Sequence, residues 1–458
     1  MGFNGINTAL TALRVQRQGL ELAGQNIANA GTEGYTRQRL ETTAIGGSAV
    51  PAFWSTQPVG SSGGGVQTTS VNRLQDAYVE ARTRYEHERQ ATTSTAHEVL
   101  VDAENVYNEP GANGLQAQLT NLWAGFTDVG DNPSDSAART QLLTRLQTVA
   151  TGLNSAASEL SGQFGNRRTE LASTVNDVNS AAAQLADLNG AVLRAKAAGV
   201  SYNDLSDKRD VVAMKLIEQT GAQVSEAADG TYTVSLGGSN LVSGSTARAL
   251  KVTGTTDIAT ATTNPVTVKW VDTDTATTGV TGKAGALTNA LTTVLPGQLT
   301  GFNNVAAALA NQVNTANAAG WTTSGTAGGA LLSGTTAATI AVVTSDPAAI
   351  AASANKLQAY NGDNADYMAR LGSIGTADGI YRTNVADIGM KVRSAEQAAA
   401  TQDSITTQVD AARQAASGVN LDEELTSMIS YQRSYEAAAK VMSAVDSMLD
   451  TLINRMGA

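Results

Sequence analysis

The spacing of apolar residues divides this 458-residue chain into long helical stretches with one β-patterned interruption. Near the C-terminus, Leu421, Met428, Tyr435, Met442, Leu449 and Met456 recur at every seventh position. That is the interval of a helix that keeps one seam against another helix. The interleaved positions are less regular: Leu425, Ala439 and Ile453 suit a core, whereas Gln432 and Asp446 do not. A second stripe, Val441, Val445, Met448 and Leu452, makes the last turns apolar over most of their circumference. Such a helix needs several neighbours. At the other end Ile6, Leu13, Leu20 and Ile27 also stand seven apart, with Phe3 and Leu10 filling the alternate seam and Arg17 and Gly24 interrupting it. At ~1.5 Å per residue the two helices extend roughly 35–55 Å. Periodicity leaves two readings open: a coiled coil that closes the chain on itself, or helices that also pack against other subunits.

Between these ends the pattern predicts further helices. The first helix stops near Asn26-Ile27-Ala28-Asn29, where Asn29, Gly31 and Gly34 offer left-handed positions. Gly46 to Gly65, with Pro51 and Pro58, reads as extended or loop. Leu74, Tyr78, Ala81 and Tyr85 begin a helical stripe that runs to Tyr107, and Leu115, Leu119, Leu122 and Phe126 mark a shorter helix. Asn132-Pro133-Ser134-Asp135 then starts the longest pattern: Leu146, Val149, Leu153, Leu160, Phe164, Leu171, Val175, Val178, Leu185 and Val192 share one face. Unbroken, it would be a rod of roughly 80–90 Å, which Gly162 and Gly165 could kink or divide. After Gly221 the period becomes two, with strands at Tyr232–Leu236 and Val266–Trp270 and turns at Asp229-Gly230 and Gly237-Gly238. Leu299, Phe302, Ala306, Leu309 and Val313 restore the helical period. Thr322 to Thr344 is Gly, Thr and Ala with one strand-like piece, Ile340–Val343, and Asp387 to Ala416 is polar helix ending at Ser417-Gly418. The expected fold is mainly α with a small β region: a long helical rod or bundle built from both ends of the chain, with paired terminal helices and a β-rich segment in the middle.

Composition narrows the partners. Hydrophobic residues make up 42 % but aromatics only 4 %, which favours long helices in small-residue contact over one large aromatic core. A net charge of −11 argues against nucleic acid or an anionic membrane. Without cysteine there is no disulfide, thiol catalysis or thiolate metal site. No apolar run approaches the ~20 residues of a membrane span, and the N-terminus lacks the apolar core of a cleaved signal. Chemistry is equally sparse. His87 and His97 lie ten apart on one helix, ~15 Å along its axis, too far to share a metal. Nearby Glu86, Glu88, Glu98, Asp102 and Glu104 read as that helix's wet face. Asp204, Asp207 and Asp210 could hold a cation, but interleaved Lys208 and Arg209 favour capping and ion pairs. Asp272 and Asp274 lack the spacing of a calcium loop, and Gly60–Gly65 has no following Lys-Ser/Thr for a phosphate loop. We identify no catalytic residue, cofactor site or metal site.

Several segments carry a resemblance. Asn26-Ile27-Ala28-Asn29 followed by Thr32-Glu33-Gly34-Tyr35 resembles the signature of rod, hook and hook-associated proteins of the bacterial flagellum. Ser417–Glu424 followed by Met428-Ile429, Gln432-Arg433 and Tyr435 is similar across them. The middle narrows the match: Asn203–Asp210, Gly230-Thr231-Tyr232, Leu241–Ala247, Tyr35–Gln38 and Asp131–Arg139 resemble the first hook-associated protein family, FlgK. Gly362-Asp363-Asn364 looks like another station of that family. The likeness weakens at 251–283 and 321–358, where larger members carry an outer domain.

The resemblance implies a non-enzymatic structural component at the hook–filament junction, extracellular and exported unfolded by the flagellar type III system without a cleaved signal peptide. It implies self-association in a ring or helical layer, contacts with the hook protein and the next junction protein, and a secretion chaperone on the C-terminal helix. The corresponding partition is 1–45 plus 418–458 as an inner-tube domain, disordered in the monomer. Residues 46–250, 284–320 and 359–417 form the rod domain, and 251–283 with 321–358 a shortened outer insert. The assembly-interface residues implied are Ile6, Leu13, Leu20, Asn26, Ile27, Asn29, Gly34, Tyr35, Leu421, Met428, Tyr435, Met442, Leu449 and Met456. A hook or distal-rod protein, and a secreted helical adhesin or effector, are the alternatives.

Overall fold

A computed structural model describes residues 4–45, 64–374 and 376–455. The rod predicted from 135 onward is a single helix, α4 (Ser136–Ala197), 62 residues and therefore ~93 Å long. Asp135 caps it by accepting from the Ala137 amide, and Arg194 and Lys196 in its last turn complement the helix dipole. All ten residues of the expected face are buried. The helix runs unbroken through Gly162 and Gly165, because the neighbours on its buried side cover it almost end to end. These are α3 (Leu115–Asp131), itself backed by α8 (Asp363–Ile374), at the start, α7 (Leu295–Ala319) along the middle, and α5 (Asn203–Thr220) with the strands at the end. The predicted α3 and α7 residues are all buried.

The β region is larger than its alternating residues foretold. β3 (Gln223–Glu226), β4 (Tyr232–Leu236), β5 (Ser239–Ser243) and β6 (Thr246–Ala247) form an antiparallel meander, and β7 (Leu250–Thr253) pairs with β8 (Thr267–Trp270). A further ladder is formed by β1 (Gln38–Ala44) and β2 (Val66–Arg73), on either side of the expected loop, whose residues 46–63 lie outside the described ones.

Asparagines dock the irregular backbone onto the helices. Asn179 of α4 accepts from the Leu250 amide at 2.8 Å and donates to its carbonyl at 2.9 Å; Asn189 does the same for Tyr232. Asn314 of α7 accepts from Leu331 and Leu332 and donates to the Leu332 carbonyl, while Asn317 accepts from Ala351 and donates to Gly329 and Ala349. A buried backbone group without a strand partner needs another, and these amides supply it. Residues 321–358 are thereby held against α4 and α7, with Leu331, Leu332, Ala337, Ile340 and Ile350 in the common core. Gly362 lies so close to Gly130 that a side chain there would strike its carbonyl oxygen, which accounts for the Gly362-Asp363-Asn364 motif.

Two expectations are corrected. On α2 (Ala77–Asn105), Tyr78 and Tyr85 are exposed, and the buried face is Glu80, Thr83, Thr95, Val99 and Ala103. Only part of the supposed wet face is a seam: Glu86 accepts from Gln402 and Glu88 from the Gly282 amide, whereas Glu98 and Asp102 stay wet, their side chains 62 % and 46 % exposed as they pair with Arg167. For Glu86 the reason is the neighbour: α9 (Thr376–Ser417) turns Gln402 and Thr406 towards it, so a polar residue faces inward.

Candidate assembly interface

The two heptad-bearing ends meet as an antiparallel pair, α1 (Asn4–Ala28) with α10 (Leu421–Arg455). Gly5 lies near Val445, Gly19 against the Tyr431 ring, and Asn26 beside Glu424. On α1 the deepest residues are small or polar: Ala9, Val15, Gly19, Ala23 and Asn26. Gly19 draws the ring of Tyr431 onto its backbone, so the larger residues lie at the margins. Ile6, Leu13, Leu20, Ile27, Met428, Met442 and Leu449 are half-buried. Leu421 and Tyr435 are exposed, and Met456 lies outside the described residues, as does Phe3. Gln432 and Asp446 do not interrupt the seam, because Tyr431 and Val445 occupy it one residue earlier. The outer side of α10 carries Leu421, Leu425, Ile429, Val441 and Met448, each between 44 % and 53 % exposed.

At the foot of the pair the signature residues form a polar lock. Asn26, 2 % exposed, uses its full hydrogen-bonding capacity. It donates to the Gln38 carbonyl at 3.0 Å and to Glu424 Oε2 at 3.1 Å, and accepts from the Gln38 amide at 3.1 Å and the Tyr35 hydroxyl at 2.8 Å. Arg37 donates to Glu424 and to Glu423, each at 2.6 Å, and its amide reaches the Ser417 carbonyl. Burial, then Asp204, Asp207 and Glu424, push the Tyr35 hydroxyl up to about 12, so it stays a donor. Gly34 has φ 75°, and a side chain there would strike Val211 of α5. Asn29 donates to the Gln25 carbonyl and accepts from Thr32, closing the turn.

A second ring ties the lock to the body. Arg73 donates to Asp207 at 2.9 Å and to Asp210 at 2.7 Å, so the ion pairing expected of these carboxylates comes from β2 instead of from Lys208 or Arg209. Burial would raise the Asp210 pKa, but Arg73 and the Tyr232 hydroxyl outweigh it and hold it low. For Asp207 burial wins, and its pKa is raised. Asp204 accepts from Gln38, and Asn203 donates to Gln38 and to Val71. Arg209 stacks on Tyr232 at 3.6 Å and donates to the Gly230 carbonyl, which accounts for the Gly230-Thr231-Tyr232 motif. Among the described residues no group of three or more His, Cys, Asp or Glu could hold a metal, and no helix is long and apolar enough to cross a membrane. Tyr35 is an expected interface residue, but the role of Arg73 and the pairing of Asn26 with Glu424 are not legible in the sequence, because they join polar residues at a chain distance that periodicity does not report.

The family model "Flagellar hook-associated protein FlgK helical domain" matches residues 100–332, and "Flagellar basal body rod FlgEFG protein C-terminal" matches 412–456. The chain is 28 % identical to flagellar hook-associated protein 1 of Bacillus subtilis (strain 168), covering 99 % of this chain and 98 % of that one. It is 24 % identical to the protein of that name from Escherichia coli (strain K12), covering 98 % and 99 %. The solved flagellar hook junction protein FlgK from Burkholderia pseudomallei shares the fold, with a TM-score of 0.62 at 16 % identity over 73 % of this chain and 99 % of that one. The first family model spans just over half of the chain, from the last turns of α2 through the strands and past the end of α7, and on that evidence this protein belongs to the flagellar hook-associated protein FlgK family.

Proposed function

We propose that this protein is a structural, non-enzymatic subunit of the flagellum, working extracellularly at the hook–filament junction. It polymerises there as a short layer through its terminal helices. The observation that carries this reading is the unpartnered apolar side of α10, where Leu421, Leu425, Ile429, Val441 and Met448 face outward on a helix already paired with α1. Burying one such side chain contributes ~1.5–3 kcal/mol, against ~1–2 kcal/mol per residue to order the backbone. An isolated pair of this kind is marginal, and neighbouring subunits tip the balance. In this reading 1–45 with 418–458 are the inner-tube domain, and 46–250, 284–320 and 359–417 the rod domain. Residues 251–283 and 321–358 are what remains of an outer insert. The proposed interface is Ile6, Leu13, Leu20, Asn26, Ile27, Asn29, Gly34, Tyr35, Leu421, Met428, Tyr435, Met442, Leu449 and Met456. Its partners are other copies, the hook protein, the next junction protein, and a secretion chaperone that shields the C-terminal helix during export of the unfolded chain.

A deletion strain tests the function. Hooks should persist while filament subunits are shed into the medium; normal filaments would overturn the reading. A Leu421→Ser, Leu425→Ser, Ile429→Ser chain should fold and be exported yet fail to restore filaments. Strong amide protection of 421–455 in dilute protein would refute the coupling of helix order to assembly.

A further inference from the structure

α2, α5 and α9 converge on His87. Its Nδ1 lies 2.8 Å from Glu218 Oε1 of α5, and its Nε2 lies 2.9 Å from Asp410 Oδ1 of α9. An ionised carboxylate only accepts hydrogen bonds, whereas neutral imidazole has one N–H and one bare nitrogen. Both contacts together therefore require the doubly protonated ring. Other charges nearby are engaged elsewhere. On α9, Asp403 accepts from Gln90 and Arg413 pairs with Glu80. On α5, Asp210 faces Arg73 and Arg84, and Lys215 is exposed. On α2, Glu86 accepts from Gln402 and Glu88 from the Gly282 amide; at the start of α6 (Gly282–Asn289), Lys283 pairs with Glu170.

The segment that His87 holds has little else of an apolar kind. The first half of α9 buries Tyr381, Ile388 and Val392, but its second half buries Gln402, Thr406 and Ser417, with Val409 as the buried large apolar residue. We propose that His87 is a pH-sensitive staple. Protonated, it fastens residues 402–417 to α2 and α5. Deprotonated on the alkaline side, it releases one carboxylate and loosens that half of α9, together with the Ser417-Gly418 junction leading into α10. The hydrogen bond to Glu218, and then Asp410, outweigh burial and raise the ring's pKa. A raised folded-state pKa means that the staple's stabilisation is complete below the unfolded value of ~6.5 and is lost as pH rises through the folded value.

Two measurements on the full chain test this. In H97Q the single remaining histidine is His87, and its NMR titration should have a midpoint above ~6.5; a midpoint at or below that value overturns the staple. Hydrogen exchange across residues 402–417, corrected for intrinsic base catalysis, should show opening about tenfold greater near pH 8.5 than near pH 6, the worth of one charge-assisted hydrogen bond. H87Q should abolish that difference. A flat response in the parent, or the same response in H87Q, also overturns it.

Discussion

Asn26 and Glu424 stand 398 positions apart in the chain and 3.1 Å apart in space. The amide of one end of the molecule donates to the carboxylate of the other, in a pocket where both residues are nearly inaccessible to water. The terminal helices are fixed to the body through this contact and its neighbours, since α10 otherwise packs mainly on α1, and α1 on α10 and the β1–β2 ladder.

Removing Asn26 should be costly. Asn26→Ala leaves the Gln38 amide and carbonyl, the Tyr35 hydroxyl and one oxygen of Glu424 without this partner, which is worth about 2–3 kcal/mol of stability in urea unfolding. Asn26→Asp should be worse at neutral pH, because it sets a second carboxylate beside Glu424. An unchanged midpoint in either variant would mean that the lock is not closed in solution.

Arg37 should discriminate between its two partners. The Glu424 side chain is 4 % exposed and that of Glu423 is 58 % exposed. A double-mutant cycle with alanine should give a coupling of about 2 kcal/mol for Arg37 with Glu424 and no more than about 0.5 kcal/mol with Glu423. Equal couplings would contradict the geometry.

Arg73→Met should create a pH trend. It strands Asp207 and Asp210, both buried, at a cost of about 3–5 kcal/mol near pH 7. Without the guanidinium both carboxylates would have folded-state pKa values above the unfolded ~3.9, so the variant should regain stability as pH falls from 7 towards 4. In the parent, Asp210 is held low and Asp207 raised, and their contributions oppose each other. Thermal melts across this range would show the difference. A variant that weakens steadily on acidification would refute the assignment.

Gly162 and Gly165 should be replaceable at a gain. Both sit inside α4, and a Cβ at either position meets nothing within 4 Å. Alanine there lowers the entropy lost on folding and should add about 0.5–1 kcal/mol at each site. A loss of stability would show that the rod needs these glycines to bend.

The long apolar periods were legible from the sequence because they belong to one helix at a time. The α4 face, the α3 and α7 stripes, the alternation of Tyr232–Leu236 and the glycine-rich breaks are all local. Which neighbour each face meets is not local. Periodicity placed a seam on α10 but could not choose between Gln432 and Tyr431, since that depends on where Gly19 of α1 lets a ring approach. It set Tyr78 and Tyr85 on the helical stripe of α2, because no pattern in α2 reveals that α9 would present Gln402 and Thr406 to it. The asparagines that dock strands and loops, and Arg73 between two aspartates, are polar residues whose role appears only when a distant backbone or carboxylate arrives opposite them. Apolar burial is written in each segment's own period, while polar satisfaction is a property of pairs, and here the fold alone chooses the pairs.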